Sequence, residues 1–235
     1  MIRKAEKAAP TPTSTSDWAR PEHQKSQGHQ LPPRERMVRS AAQLIRRRGV
    51  SGTGMREIVV EADAPRGSLQ HYFPNGKEGL VAEALRWMGD VAARRVRRHV
   101  EHLDPPRPSA LLAAMVEDWR ADLTAEGFTA GCPLVAAAAD VAATSDELRE
   151  VLRHAFDGWQ EPLAAALESL GVPAERTDRL AVLVLAALEG AIVLARIRRS
   201  LAPLDDVVAE LGPVLDASVP PTPSGRRIAS GGAGL

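Results

Sequence analysis

Between Thr53 and Leu80 the chain reads TGMREIVVEADAPRGSLQHYFPNGKEGL, and no other segment constrains the fold as tightly. It holds two short helical patterns split by a break at Asp63-Ala64. The spacing predicts one helix from Thr53, whose hydroxyl can cap the exposed N–H groups, to about Ala62. Pro65 fits the first position of the next helix, where its missing N–H costs nothing. That helix should end near Phe73, because Pro74-Asn75-Gly76 is a turn sequence.

The flanking sequence supplies what these helices pack against. A first helix is predicted from about Pro33 to Arg48. Val38, Ala41, Ala42 and Ile45 share one of its faces, and Gly49 sits where a left-handed cap is wanted. Lys77 opens a long fourth helix to about His102, closed by Pro105-Pro106. Five more helices are predicted over 109–125, 132–143, 145–170, 173–200 and 203–217. Thr144 to Glu147 matches a capping box, Gly171 ends one helix and Pro173 starts the next. Alternating apolar and polar runs are missing, and Ala, Leu, Arg and Glu dominate. The expected fold is all-α, with about nine helices in two modules. Residues 1–33 are rich in Pro, Thr, Ser, Gln and Lys with no helical period and read as a disordered arm, and residues 218–235 read as a disordered tail of similar character.

Net charge is zero over the 235 residues, but it is unevenly spread. Residues 34–100 carry 14 Lys+Arg against 7 Asp+Glu, whereas residues 101–235 carry 11 against 20. A basic amino-terminal half on an acidic body fits a nucleic-acid binder whose other half has a different task.

Several classes are excluded or disfavoured. Cys132 is the single cysteine, so the chain can form neither an internal disulfide nor a Cys-based zinc site, and a reducing cytoplasm fits. The amino terminus lacks the apolar run of a secretory signal. The stretch from Leu180 to Ala195 contains Glu189 between Arg179 and Arg196, which reads as a buried helix and not a membrane span. HExxH, a Gly-rich phosphate loop and a nucleophile elbow are all missing, so an enzyme with a helical substrate domain is the weaker reading. His99 and His102 form the single near pair among six scattered histidines, with no third ligand at a logical spacing. No metal or cofactor is expected.

Two short helices joined by a tight break can present one helix to the major groove while the other braces it across the backbone. Leu69 and Phe73, four apart, can plug the third helix into the core beside Ile58. The opposite face then presents Arg66, Gly67, Gln70 and His71. Arg66 can read guanine and Gln70 adenine, each bidentate, and Gly67 lets the backbone approach. Ser68 and Tyr72 carry hydroxyls suited to phosphate. Lys77 and Thr53, at helix starts, can clamp phosphates too. Three have plainer alternatives, Tyr72 as packing, His71 as a solvated helix end and Arg66 as part of an ordinary solvated face. Basic residues Arg20, Lys25, Arg34 and Arg36, ahead of the first helix, can reach an adjacent minor groove, but a disordered tail with no specific contact is the favoured reading.

Residues 34–85 resemble the DNA-binding domain of TetR-type transcriptional regulators. The resemblance rests on Gly49, Thr53, Arg56-Glu57-Ile58, Pro65-Arg66-Gly67-Ser68-Leu69, His71-Tyr72-Phe73 and Lys77-Glu78. It implies a helix-turn-helix domain over 34–81. Gln70 departs from the pattern, since the family often has an aromatic there, so an interaction with phosphate gives way to one with a base. The remainder resembles the ligand-binding and dimerisation domain of the branch related to lincomycin- and multidrug-resistance repressors, here over 82–217. Pro74-Asn75-Gly76-Lys77-Glu78, Gly131-Cys132-Pro133-Leu134 and Ala187-Leu188-Glu189-Gly190-Ala191 carry that likeness.

The resemblance implies a homodimer built on the helices at 145–170 and 173–200, and a small-molecule effector. A two-fold dimer also suits recognition helices that must span successive major grooves. Trp87, Trp119, Phe128, Phe156 and Trp159 are candidates for an effector pocket, with core packing as the alternative for each. Glu189 is either a hydrogen bonder at the dimer interface or a pocket anchor for a polar or cationic ligand. Cys132 is either a thiol activated at a helix start or a buried structural residue. The expected function is a cytoplasmic, homodimeric repressor released from duplex DNA by its effector. The alternative is an activator or global regulator without a physiological ligand.

Overall fold

The computed structural model describes residues 31–65 and 67–221. The arm with Arg20 and Lys25, the last part of the tail, and Arg66 lie outside the described residues. Among the described residues the chain forms nine helices and no strand. They are α1 (Pro33–Arg48), α2 (Met55–Glu61), α3 (Ser68–Tyr72), α4 (Gly76–Glu101), α5 (Pro108–Ala125), α6 (Pro133–Val141), α7 (Asp146–Ser169), α8 (Ala174–Arg198) and α9 (Ala202–Asp216).

The core face expected for α1 is buried, with Val38, Ala41, Ala42 and Ile45 packed among Met37, Ile58, Phe73 and Leu80. Gly49 ends the helix at φ +72°, and its N–H bonds to the Ile45 carbonyl at 2.9 Å. An L side chain there would be strained, and a Cβ would lie 2.3 Å from an Asp140 carboxylate oxygen.

From this unit α4 runs on into the second module. It packs most extensively on α7, which also packs on α8, while α9 lies against α5 and α8. Gly89 lets α4 and α7 approach closely, because a Cβ on it would sit 2.9 Å from the Ala155 backbone. The modules meet where the end of α1 docks on α6 and the loop before it.

Three helix starts depart from the capping chemistry expected of them, and the remaining starts agree to within one residue. Helix α2 begins at Met55 and not Thr53, because the Thr53 hydroxyl donates backwards to the Gly49 carbonyl at 2.7 Å. Helix α3 begins at Ser68 and not Pro65, since the Ser68 N–H (3.0 Å) and hydroxyl (2.6 Å) both donate to the Pro65 carbonyl and close a turn. The cap of α7 is Ser145, whose hydroxyl oxygen accepts from the Leu148 N–H at 3.1 Å. Thr144 instead donates to the Asp140 carbonyl at the end of α6.

Candidate nucleic-acid interface and effector cavity

Helix α3 is held by its apolar side. Phe73 and Ile58 are buried in the core, Leu69 is partly buried against it, and the Arg34 guanidinium lies 5.6 Å over the Phe73 ring. The opposite side is left to solvent. Gly67, Gln70 and His71 are exposed there, and a Cβ on Gly67 would meet nothing within 4 Å. Tyr72 is partly buried against the core and meets the His71 ring edge-on at 5.0 Å, so it serves packing as well as the surface. Lys77 lies in the first turn of α4 and is half-buried.

Two residues expected to contact phosphate have their hydroxyls bonded within the protein. Thr53 is only 1% exposed and its hydroxyl proton is committed to Gly49, so its side chain braces the turn before α2. The Ser68 hydroxyl proton likewise points at the Pro65 carbonyl. Arg34 and Arg36 belong to α1 and not to an arm ahead of it. Arg34 pairs with Glu83. Arg36 donates to the carbonyls of Ala62, Asp63 and Leu31, each at 2.8 Å, and so clamps the turn that leads to α3. Asp63 itself has φ +47°. Sequence patterns did not reveal Arg36 as a brace, because its partners are backbone carbonyls in the turn after α2 and just ahead of α1.

The second module holds a cavity of about 30 Å³ between α4, α5, α6 and α7. Its apolar lining includes Met88, Met115, Trp119, Leu134 and Trp159, and its polar lining Arg95, His99, Asp118 and Cys132. Of the aromatic candidates, Trp119 and Trp159 reach this cavity. Trp87, Phe128 and Phe156 are not part of its lining. Trp87 lies under the Arg39 guanidinium at 5.5 Å, facing α1, and Phe128 sits in the α5–α6 loop at φ +62°.

A partly buried charge cluster lines one side of the cavity. His99 donates Nε2–H to Asp118 Oδ2 at 2.9 Å, and Arg95 and Arg98 lie within 4 Å of the same carboxylate. Burial would raise the Asp118 carboxyl, but the His99 hydrogen bond and the Arg95, His99 and Arg98 charges hold it below the ordinary range. Arg95 reaches Asp122 at 3.4 Å, and the Arg46 guanidinium from α1 approaches the same Asp122 oxygen at 3.7 Å. His102 points elsewhere, its Nδ1 bonded to the Arg98 carbonyl at 2.7 Å. No group of three or more His, Cys, Asp or Glu among the described residues is arranged to hold a metal.

Glu189 lies beside Cys132, a cavity residue. Neither carboxylate oxygen meets an N–H or O–H donor among the described residues, and the Cys132 thiol is the polar group that faces them. Burial pushes the Glu189 carboxyl up to about 7. Burial, together with Glu189, drives the Cys132 thiol well above its ordinary value. That overturns the activated-thiol alternative, because burial outweighs the favourable helix-start position.

Helix α8 keeps one face open. Val182, Leu183, Val193, Leu194 and Ile197 are between 39% and 74% exposed, and Ala186 and Gly190 continue the same stripe. By length and composition α8 could cross a bilayer, but half of its most apolar window is buried inside the protein.

Comparison with known proteins assigns both modules. Residues 38–84 match the family model described as bacterial regulatory proteins, tetR family. Residues 108–210 match the transcriptional regulator LmrA/YxaF-like carboxy-terminal domain. The chain is 39% identical over 193 residues to an uncharacterised HTH-type transcriptional regulator, Rv0196, of Mycobacterium tuberculosis, covering 80% of this chain and 96% of that one. It is 26% identical over 187 residues to the HTH-type transcriptional repressor NemR of Escherichia coli, covering 76% and 91%. The crystal structure of a TetR regulatory protein from Rhodobacter sphaeroides superposes with a TM-score of 0.68 at 23% identity, over 76% of this chain and 96% of that one. The chain belongs to the TetR family of DNA-binding transcriptional regulators, with an LmrA/YxaF-like second module.

Proposed function

We propose that the protein is a homodimeric repressor that reads its operator with α3 and is released when a small molecule occupies the cavity between α4, α5, α6 and α7. The observation that carries the reading is the face of α3. Gly67, Gln70 and His71 stand in solvent on a helix whose other side is anchored by Phe73. Gln70 can pair bidentately with adenine, and His71 and Gly67 lie on the same approach. Arg66 adds a guanine contact, and Tyr72 and Lys77 position the domain on phosphate. Thr53 and Ser68 support the reading head from behind.

The open apolar stripe of α8 supports the dimer. A stripe at helical spacing, covered by no element among the described residues, is best closed by its symmetry mate, with α7 alongside. Gly190 lets the two α8 helices approach closely, since a Cβ there would meet nothing within 4 Å among the described residues. This closure, and not a bilayer, accounts for the apolar face of α8, in keeping with a cytoplasmic protein. Repression follows the naming of NemR, a relative at 26% identity. We assign the chain no catalytic role. The boundaries 34–81 and 82–217 divide it into reading and sensing modules.

An electrophoretic shift with DNA from upstream of the protein's own gene, on a sample first confirmed as a folded dimer, tests this function. A retarded band that survives competitor DNA supports it. No shift even at low salt overturns it.

A further inference from the structure

Arg46 sits in the last turn of α1, yet it is 1% exposed and faces the second module. Its Nε–H donates to the Gly131 carbonyl at 3.0 Å, and the Gly131 N–H donates to the Arg46 carbonyl at 3.1 Å. Its guanidinium lies 3.7 Å from Asp122 and 5.9 Å over the Trp119 ring. Each contact adjoins the cavity wall. Gly131 precedes Cys132, Asp122 also binds Arg95, and Trp119 is itself lining. Other ties across the junction, Arg47–Glu126 and Ser51–Asp140, touch no lining residue.

Size makes this arrangement consequential. The cavity holds about 30 Å³, whereas small-molecule sites run to about 300–1,000 Å³. A ligand therefore cannot enter without displacing the wall, and on the α1 side the wall is fastened to Arg46. Helix α1 in turn carries the recognition unit, through its packing on α2 and through Arg36 at the α2–α3 turn. We infer that Arg46 is the residue that couples expansion of the cavity to the position of the DNA-binding domain. This inference rests on the proposed ligand-switched function and names the route its switching takes. The competing route runs along α4, which passes from the recognition unit into the cavity wall.

Coupling is reciprocal, so DNA binding must be felt at the cavity even when the effector is unknown. The test is hydrogen exchange with and without a saturating duplex selected by the wild-type protein from a random library. It is run on wild type, Arg46→Met, Asp122→Asn and, as a junction control, Arg47→Ala. In wild type and Arg47→Ala, the duplex should change exchange both in 67–73 and in 115–134, the latter by about 5-fold or more. Arg46→Met and Asp122→Asn should keep the first change and lose the second. A merely structural Arg46 would alter exchange equally with and without DNA. If both variants keep the second change, the inference is overturned and α4 carries the signal; if wild type never shows it, the inference is overturned because the cavity is not coupled to DNA binding. Failure to select any duplex would instead overturn the DNA-binding reading, and the inference with it.

Discussion

Arg46 and Gly131 are joined by two hydrogen bonds, side-chain Nε–H to carbonyl at 3.0 Å and backbone N–H to carbonyl at 3.1 Å. They lie 85 residues apart in sequence and hold the end of α1 against the loop that starts α6. Burial tends to lower the Arg46 pKa, the Asp122 charge opposes that, and Arg95 adds to it. Truncating one partner of such a buried cluster leaves the remaining charges under-compensated. Arg46→Met should cost about 3 kcal/mol, read as a shift in urea midpoint without a large change in slope. A cost below about 1 kcal/mol would mean that the cluster contributes little to docking.

Glu189 gives the fold a pH dependence of definite sign. Its carboxyl titrates near 7 in the folded chain, against an ordinary value of 4.5. Below the lower value both states hold the proton and the group adds no pH dependence. Between the two, the unfolded chain ionises while the folded one stays protonated, so stability falls as pH rises. The total loss is about 3 kcal/mol, fully developed above pH 7. Cys132, the polar neighbour, stays a neutral thiol throughout this window. Glu189→Gln should therefore gain on wild type progressively from pH 4.5 to 8 in urea titrations. A pH-independent difference between the two would refute the assignment.

The α8 stripe makes a separate prediction about assembly. Leu194 is 44% exposed in the protomer and lies one turn from Gly190 and Ile197. Leu194→Arg should raise the dimer dissociation constant by about 30-fold, equivalent to about 2 kcal/mol. Sedimentation equilibrium reads this directly. An unchanged constant would place the interface elsewhere.

Gly49 tests the junction from the α1 side. Alanine at φ +72° is strained, and its Cβ would collide with the Asp140 carboxylate that accepts the Ser51 N–H at 2.9 Å. Gly49→Ala should destabilise by about 2 kcal/mol in thermal or urea unfolding. Adding Asp140→Ala should recover only the steric part. A neutral Gly49→Ala would show that the α1 end adjusts freely.

Local patterns were readable from sequence wherever a local rule decides. The buried face of α1, the turn at Pro74-Asn75-Gly76 and the stop at Gly171 all follow helical spacing and turn chemistry. Cap positions slipped by one to three residues because hydroxyl groups have several backbone carbonyls in reach. Thr53 and Thr144 both bond backwards, not forwards. Arg36 and Arg46 were illegible as braces, since an arginine on a helix looks solvated until its distant carbonyl or carboxylate is known. The aromatic candidates divided for the same reason, Trp119 and Trp159 lining the cavity while Trp87 turns towards α1.

Sequence-specific binding through α3 is tested most directly by fluorescence anisotropy titrations of wild type and Gln70→Ala. The ligands are the selected operator and the same duplex with one adenine–thymine pair changed at each position in turn. Wild type should prefer the unaltered operator, and Gln70→Ala should lose about 1–3 kcal/mol of discrimination at one adenine while keeping its preference elsewhere. If Gln70→Ala discriminates at every position as wild type does, α3 does not read bases through Gln70. If wild type binds operator and scrambled duplex equally, α3 is not a reading head.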